Sequence, residues 1–196
     1  MQAYSGEFAA LFTAIFWTVT ALAFERASLK IGSLQVNIIR LFMGLAFLTL
    51  FTWFRRGMAL PLDASAHHWT WLLLSGLIGF VFGDLFLFKA YTVIGSRFSM
   101  LIMTLVPPIA AFTGWLLMDE VLSPMNLLGM VLTITGIGLA IFHRGNGKGR
   151  KSLVLKLSMK GILLALGGAV GQAVGLVLSK YGMQEYDPFA STQIRL

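Results

Sequence analysis

The chain has 196 residues, of which 57% are hydrophobic and 12% charged, with a mean hydropathy of +0.81. A water-soluble domain of this size cannot hide that much apolar surface, which excludes a soluble enzyme or binding module and points to the membrane. The formal net charge of +7 would suggest nucleic acid as a partner for a soluble chain. Here six of the fifteen basic residues sit in one short connector and read as a topological signal instead.

Crossing roughly 30 Å of hydrocarbon takes about 20 apolar residues. The hydropathy pattern predicts spans over residues 7–28, 35–54, 69–90, 96–118, 124–142 and 159–180, hence an all-α polytopic transmembrane bundle. Ala21-Leu22-Ala23 has the small residues of a signal-peptide cleavage site. The stretch before it carries Glu7 and no Lys or Arg, so the first run is expected to be a retained helix. Short connectors rich in Gly, Pro, Ser and charge punctuate the spans, and none could hold a soluble domain.

Along the first span Thr13, Trp17 and Thr20 share one face, at spacings of four and three residues. Trp53, Trp69, Trp71 and Trp115 fall near the side of the amino terminus, side A, as interfacial tryptophans do, whereas Trp17 lies mid-span. Stacking on a substrate and ordinary helix packing both account for it. Arg40 in the second span, Asp84 and Lys89 in the third and Glu25 at the end of the first all fall in the leaflet nearer the opposite face, side B. A charge at a helix centre costs roughly 2.5–3.5 kcal/mol on insertion scales, so Arg40 and Asp84 need partners, water or a neutral form. Two readings stand: a polar cavity that binds substrate or relays a proton, or a fixed ion pair, with Glu25 and Lys89 as further ion-pair candidates snorkelling to the interface.

Gly79 and Gly83 in the third span, and Gly167, Gly171 and Gly175 in the sixth, follow small-xxx-small spacing and are expected to be helix-packing faces, with homodimerisation as one use. Pro107-Pro108 removes two backbone donors within the fourth span, where a kink is expected. Asp119-Glu120 reads as a solvated helix end rather than a metal site. His67-His68 are adjacent and point apart, and HExxH, Walker A and GxSxG patterns are missing, so neither an enzyme nor a cofactor is expected. With no cysteine, thiol catalysis and disulfides are ruled out.

Sliding the chain by 155 residues sets Gly6 on Gly161, Ala10 on Ala165, Trp17 on Gln172 and Ile39-Arg40-Leu41 on Ile194-Arg195-Leu196, with spans and connectors in register. One unit is then five helices, and an odd number sends the next unit into the membrane from the opposite side, the inverted-repeat plan of many secondary transporters. The resulting division is residues 1–142 as the first repeat, 143–160 as a basic connector and 161–196 as the start of a second repeat, which is expected to be incomplete.

Within this order, Leu105-Val106-Pro107-Pro108, Trp115-Leu116-Leu117-Met118-Asp119-Glu120, Asn126-Leu127-Leu128-Gly129 and Gly136-Ile137-Gly138 carry a likeness to a known family. The segment from Ala90 to Ala140 resembles the end of an EamA-type repeat of the drug/metabolite transporter superfamily. The resemblance implies ten helices in two inverted five-helix repeats and export or exchange of small metabolites by alternating access. Gln172, the repeat counterpart of Trp17, joins Arg40, Asp84, Trp17, Thr13 and Thr20 as candidate pathway residues. The rival reading is a non-transporting membrane subunit or truncated relic that assembles with other membrane proteins.

Side B collects Arg26, Lys30, Lys89, Arg97 and the connector's Arg144, Lys148, Arg150, Lys151, Lys156 and Lys160, against Arg55, Arg56 and Lys180 on side A. The positive-inside rule then predicts a multi-pass cell-membrane protein with its basic connector in the cytoplasm and its amino terminus outside. The expected partners are the lipid bilayer and a small-molecule substrate.

Overall fold

In hydrocarbon every backbone N–H and C=O has to be bonded within its own segment, so long apolar runs become helices. The computed structural model describes residues 5–142 and 158–196, and among them the regular structure is helical throughout. The elements are α1 (Ser5–Ile31), α2 (Ser33–Arg56), α3 (Ala66–Gly76), a π-helical stretch (Leu77–Gly83), α4 (Asp84–Met103), α5 (Val106–Met118), α6 (Pro124–Phe142), α7 (Met159–Met183) and α8 (Pro188–Arg195). Among the described residues, Gly6–Ile31, Ser33–Arg56, the continuous Ala66–Met103 and Met159–Met183 are long and apolar enough to cross a membrane, while Val106–Met118 and Pro124–Gly136 are shorter apolar helices. Arg144, Lys148, Arg150, Lys151 and Lys156 of the basic connector lie outside the described residues.

Two local breaks divide the long apolar stretches. Gly95, at φ 79°, turns the chain inside the continuous helix, a conformation that glycine adopts without a Cβ penalty. The connector expected between the third and fourth spans therefore shrinks to a single residue. Glu25 of α1 accepts from the Ser96 N–H (3.2 Å) and the Ser96 hydroxyl, capping the helix that restarts after the turn. A second break falls at Thr104 and Leu105, whose N–H groups bond back only three residues, to Leu101 and Ile102. Pro107 and Pro108 follow in the first turn of α5, where an N–H is not needed.

α7 lies at the centre, packed against α3, the π-helical stretch, α4 and α5; α1 packs on α2 and α4, and α8 on α2 and α3. Backbone contact between α7 and the π-helical stretch is close. A Cβ added at Gly171 would lie 2.7 Å from the Gly83 Cα, and one at Gly175 would lie 2.8 Å from the Gly79 Cα. The buried Ser75 hydroxyl donates to the Gly175 carbonyl at 2.6 Å, binding α3 to α7. Gly167 faces the ring of Phe86 instead of a backbone. The apolar side chains of α6, among them Leu127, Leu128, Val131 and Leu132, stay exposed, the surface expected of a helix facing lipid tails.

On side A the helix ends are tied by polar contacts. Arg55 pairs with Asp187 at 2.9 Å, Arg56 with Asp63 at 2.6 Å, and Lys180 with Glu120. Tyr186 donates to Asp63 at 2.8 Å and stacks on His68, with centroids 4.7 Å apart, while His67 packs against Trp71 and Tyr181. The Tyr186 hydroxyl, with Arg56, holds the Asp63 carboxyl below the usual carboxylate range, and burial pushes the Tyr186 hydroxyl up.

Candidate functional site

A π-helical turn shifts the hydrogen-bond register and leaves carbonyls poorly matched to the helix that follows. Here side chains from α2 reach those carbonyls. Asn37, 2% exposed, donates from Nδ2 to the Phe80 and Val81 carbonyls at 3.1 Å each. Arg40, one turn on, donates from Nη2 to the Asn37 Oδ1 at 3.2 Å and to the Phe80 carbonyl at 3.4 Å. The same guanidinium forms an ion pair with Asp84, the first residue after the π-helical stretch. Gln172 of α7 donates to the other Asp84 oxygen, Oδ1, completing a polar centre shared by three helices.

Aromatic rings surround this centre. The Arg40 guanidinium lies 5.6 Å from the Phe80 centroid and 5.5 Å from that of Phe88. Phe24 and Phe88 pack at 5.0 Å, and Phe88 and Tyr91 at 5.8 Å. The Tyr91 hydroxyl donates to the Met100 sulfur at 3.3 Å. Between α1, α2, α4 and α7 these groups enclose a cavity of about 230 Å³ lined by Trp17, Thr20, Ala21, Phe24, Arg40, Phe80, Asp84, Leu87, Phe88, Tyr91, Met103 and Gln172. A neighbouring apolar cleft of about 310 Å³ shares Phe24 and Arg40 and runs between α1 and α2 past Met43, Ile39 and Val36 to Ile31 at the side-B end.

Of the candidate pathway residues, Arg40, Asp84, Trp17, Thr20 and Gln172 meet at this cavity. Thr13 does not line it; its exposed hydroxyl donates to the Ala9 carbonyl at 2.8 Å. Glu25 and Lys89 are not brought together: Glu25 is occupied by Ser96, Lys89 is exposed, and among the described residues no ion pair joins them. Glu120 meets Lys180, and among the described residues no acidic or histidine cluster could hold a metal ion.

Asn37, Phe80, Tyr91 and Arg195 were not singled out from the sequence. Asn37 carried a signal, being a polar side chain one turn from Arg40 on the same helix face. Arg195 did too, as the repeat counterpart of Arg40. Phe80 and Tyr91 carried none, since a chain with 16 Phe and 4 Tyr does not mark the few that enclose a cavity.

Helices long and apolar enough to cross a membrane, packed around a polar, aromatic-walled cavity, define a multi-pass membrane protein. The chain belongs to the EamA-like transporter family, whose model matches residues 4–142. The matched region runs from α1 to the end of α6, the stretch expected as the first repeat. Membership makes the chain a membrane transporter of the drug/metabolite type, with the lipid bilayer as its surroundings and small molecules as substrates. No curated protein and no solved structure matches the chain.

Proposed function

We propose that the protein is a secondary carrier that exports or exchanges a small organic metabolite by alternating access, with the cavity around Arg40, Asp84 and Gln172 as its substrate site. The observation that carries this reading is the placement of an ion pair, an amide and five aromatic rings around one cavity inside the bilayer. A purely structural pair is better served by close packing; walls of aromatic side chains with a few polar groups suit a ligand. The apolar cleft between α1 and α2 gives the cavity an approach from side B. The contacts Arg55–Asp187, Arg56–Asp63 and Lys180–Glu120 hold side A together, as a carrier open to one side requires.

In this reading Trp17 and Thr20 border the substrate, Thr13 continues the same face toward side A, and α7 begins a second, inverted repeat that rocks against the first. No nucleotide-binding motif occurs, so the driving force is an ion or substrate gradient. Because the chain has no cysteine, Thr20→Cys places a single thiol at the cavity. Counterflow is measured in vesicles carrying the protein, over a panel of labelled organic acids, amino acids and amines. Saturable exchange of at least one compound, abolished when a thiol reagent modifies the Thr20→Cys protein, is expected. Failure of every compound to exchange, or exchange indifferent to modification at position 20, would overturn the assignment.

A further inference from the structure

The charges at the cavity do not balance. Asp84 faces two guanidinium groups: Arg40, which pairs with it, and Arg195 of α8, which attracts it over a longer distance. Glu25, the other acidic side chain of the same leaflet, is spent on Ser96. Arg195 lies 4.2 Å from the centroid of Phe80, the ring that also carries Arg40, and its Nη2 lies beside Gly79. Both Arg40 Nε and Arg195 Nε are buried without a hydrogen-bond partner among the described residues. With one carboxylate, Asp84, set against two guanidinium groups, the centre carries an excess positive charge, which is costly in low-dielectric surroundings.

We propose that the cavity takes a small organic anion, a carboxylate or phosphate on an apolar ring-bearing body, with Arg40 as its direct partner and Arg195 as the second cation selecting its charge. The proposal rests on the transport reading of the same cavity. Arg40 lines the cavity and its side chain is 27% exposed, so its guanidinium can reach the acid group. Arg195 packs on Phe80 but does not itself line the cavity, so it acts through its field and is a positioning residue. Trp17, Phe24 and Phe88 provide flat apolar walls for the body of the ligand. An amine or other cation would meet two arginines against one carboxylate and be repelled.

The test is equilibrium binding of labelled phenylacetate to the full-length protein in phosphatidylcholine nanodiscs, with phenylacetamide and phenethylamine as competitors. Phenylacetate should bind, and each competitor should displace it at least about tenfold less well than unlabelled phenylacetate does. Arg195→Gln should weaken binding by about tenfold, and Arg195→Lys should restore most of it. If Arg195→Gln fails to fold, the ranking of the three compounds on the unaltered protein still decides. Equal or better binding of phenethylamine, no binding of phenylacetate, or unchanged binding in folded Arg195→Gln would each overturn the proposal. Phosphatidylglycerol in the discs separates the two anion sources: abolished phenylacetate binding would mark a lipid-headgroup site and contradict a substrate anion. Flux is scored separately. Exchange of amines without phenylacetate binding removes the charge selectivity and keeps transport; phenylacetate binding without any exchange does the reverse.

Discussion

Gly83 of the π-helical stretch and Gly171 of α7 meet backbone to backbone, so closely that a Cβ on Gly171 would stand 2.7 Å from the Gly83 Cα. Gly79 and Gly175 repeat the contact one helical turn away. This approach brings Gln172, the residue next to Gly171, within reach of Asp84 and so helps assemble the polar centre.

Gly175→Ala should therefore destabilise the protein by about 1–3 kcal/mol, because backbone offers no flexible end that can move aside. Gly129→Ala on α6, where nothing lies within 4 Å of the added methyl, should be neutral to stabilising by up to about 1 kcal/mol. Thermal unfolding in detergent, monitored for both variants beside the unaltered protein, checks the difference. Equal unfolding temperatures for the two variants would contradict the packing account.

The side-A contact of Asp63 has a pH signature. Its folded-state carboxyl lies below the ordinary range because the Tyr186 hydroxyl and Arg56 favour the charged form. A depressed folded value means that the contribution is complete above the unfolded value, about 3.9, and is lost only as pH falls below it toward the folded one. The stability difference between the unaltered protein and Asp63→Asn should stay constant from about pH 8 to pH 5 and shrink only in stronger acid. A difference that disappears near neutral pH would place the effect on another group.

Topology follows from the charge count. Side B, with ten of the basic residues, is expected in the cytoplasm and side A outside. Single cysteines at Ser65, on side A, and at Gly147, in the basic connector, report this in intact cells. An impermeant thiol reagent should label position 65 and spare position 147. The reverse pattern would invert the orientation.

The helices were legible because hydropathy is a local property. Runs of about 20 apolar residues set the spans, and the structure's helices α1, α2, α6 and α7 begin and end within a few residues of the predicted limits. The charged centre was legible for a related reason, since Arg40 and Asp84 stand out against an apolar background. The π-helical stretch was not, because LIGFVFG reads as ordinary apolar helix and its altered register is matched by Asn37 and Arg40, 40 to 44 residues earlier in the chain than the carbonyls they bond. The reduction of the third connector to Gly95 was also hidden, since a single residue at positive φ, capped from a distant helix by Glu25, leaves the same Gly-Ser signature as a longer loop. Arg195 shows the limit of reading by repeat. The alignment onto Arg40 marked the register, and only the fold showed both arginines over one phenylalanine ring.

The central claim is that Arg40 and Asp84 form a transport site and not a structural pair alone. Removing one partner leaves the other charge uncompensated in the bilayer, so Arg40→Leu and Asp84→Leu should each lose about 3–5 kcal/mol, while the double variant should recover most of that. The decisive measurement is flux through the double variant Arg40→Leu/Asp84→Leu, once its unfolding temperature shows that it has folded and inserted. The account predicts a stable protein that carries no substrate. A stable double variant with near-normal flux would contradict it, leaving the pair as a fixed strut of the bundle.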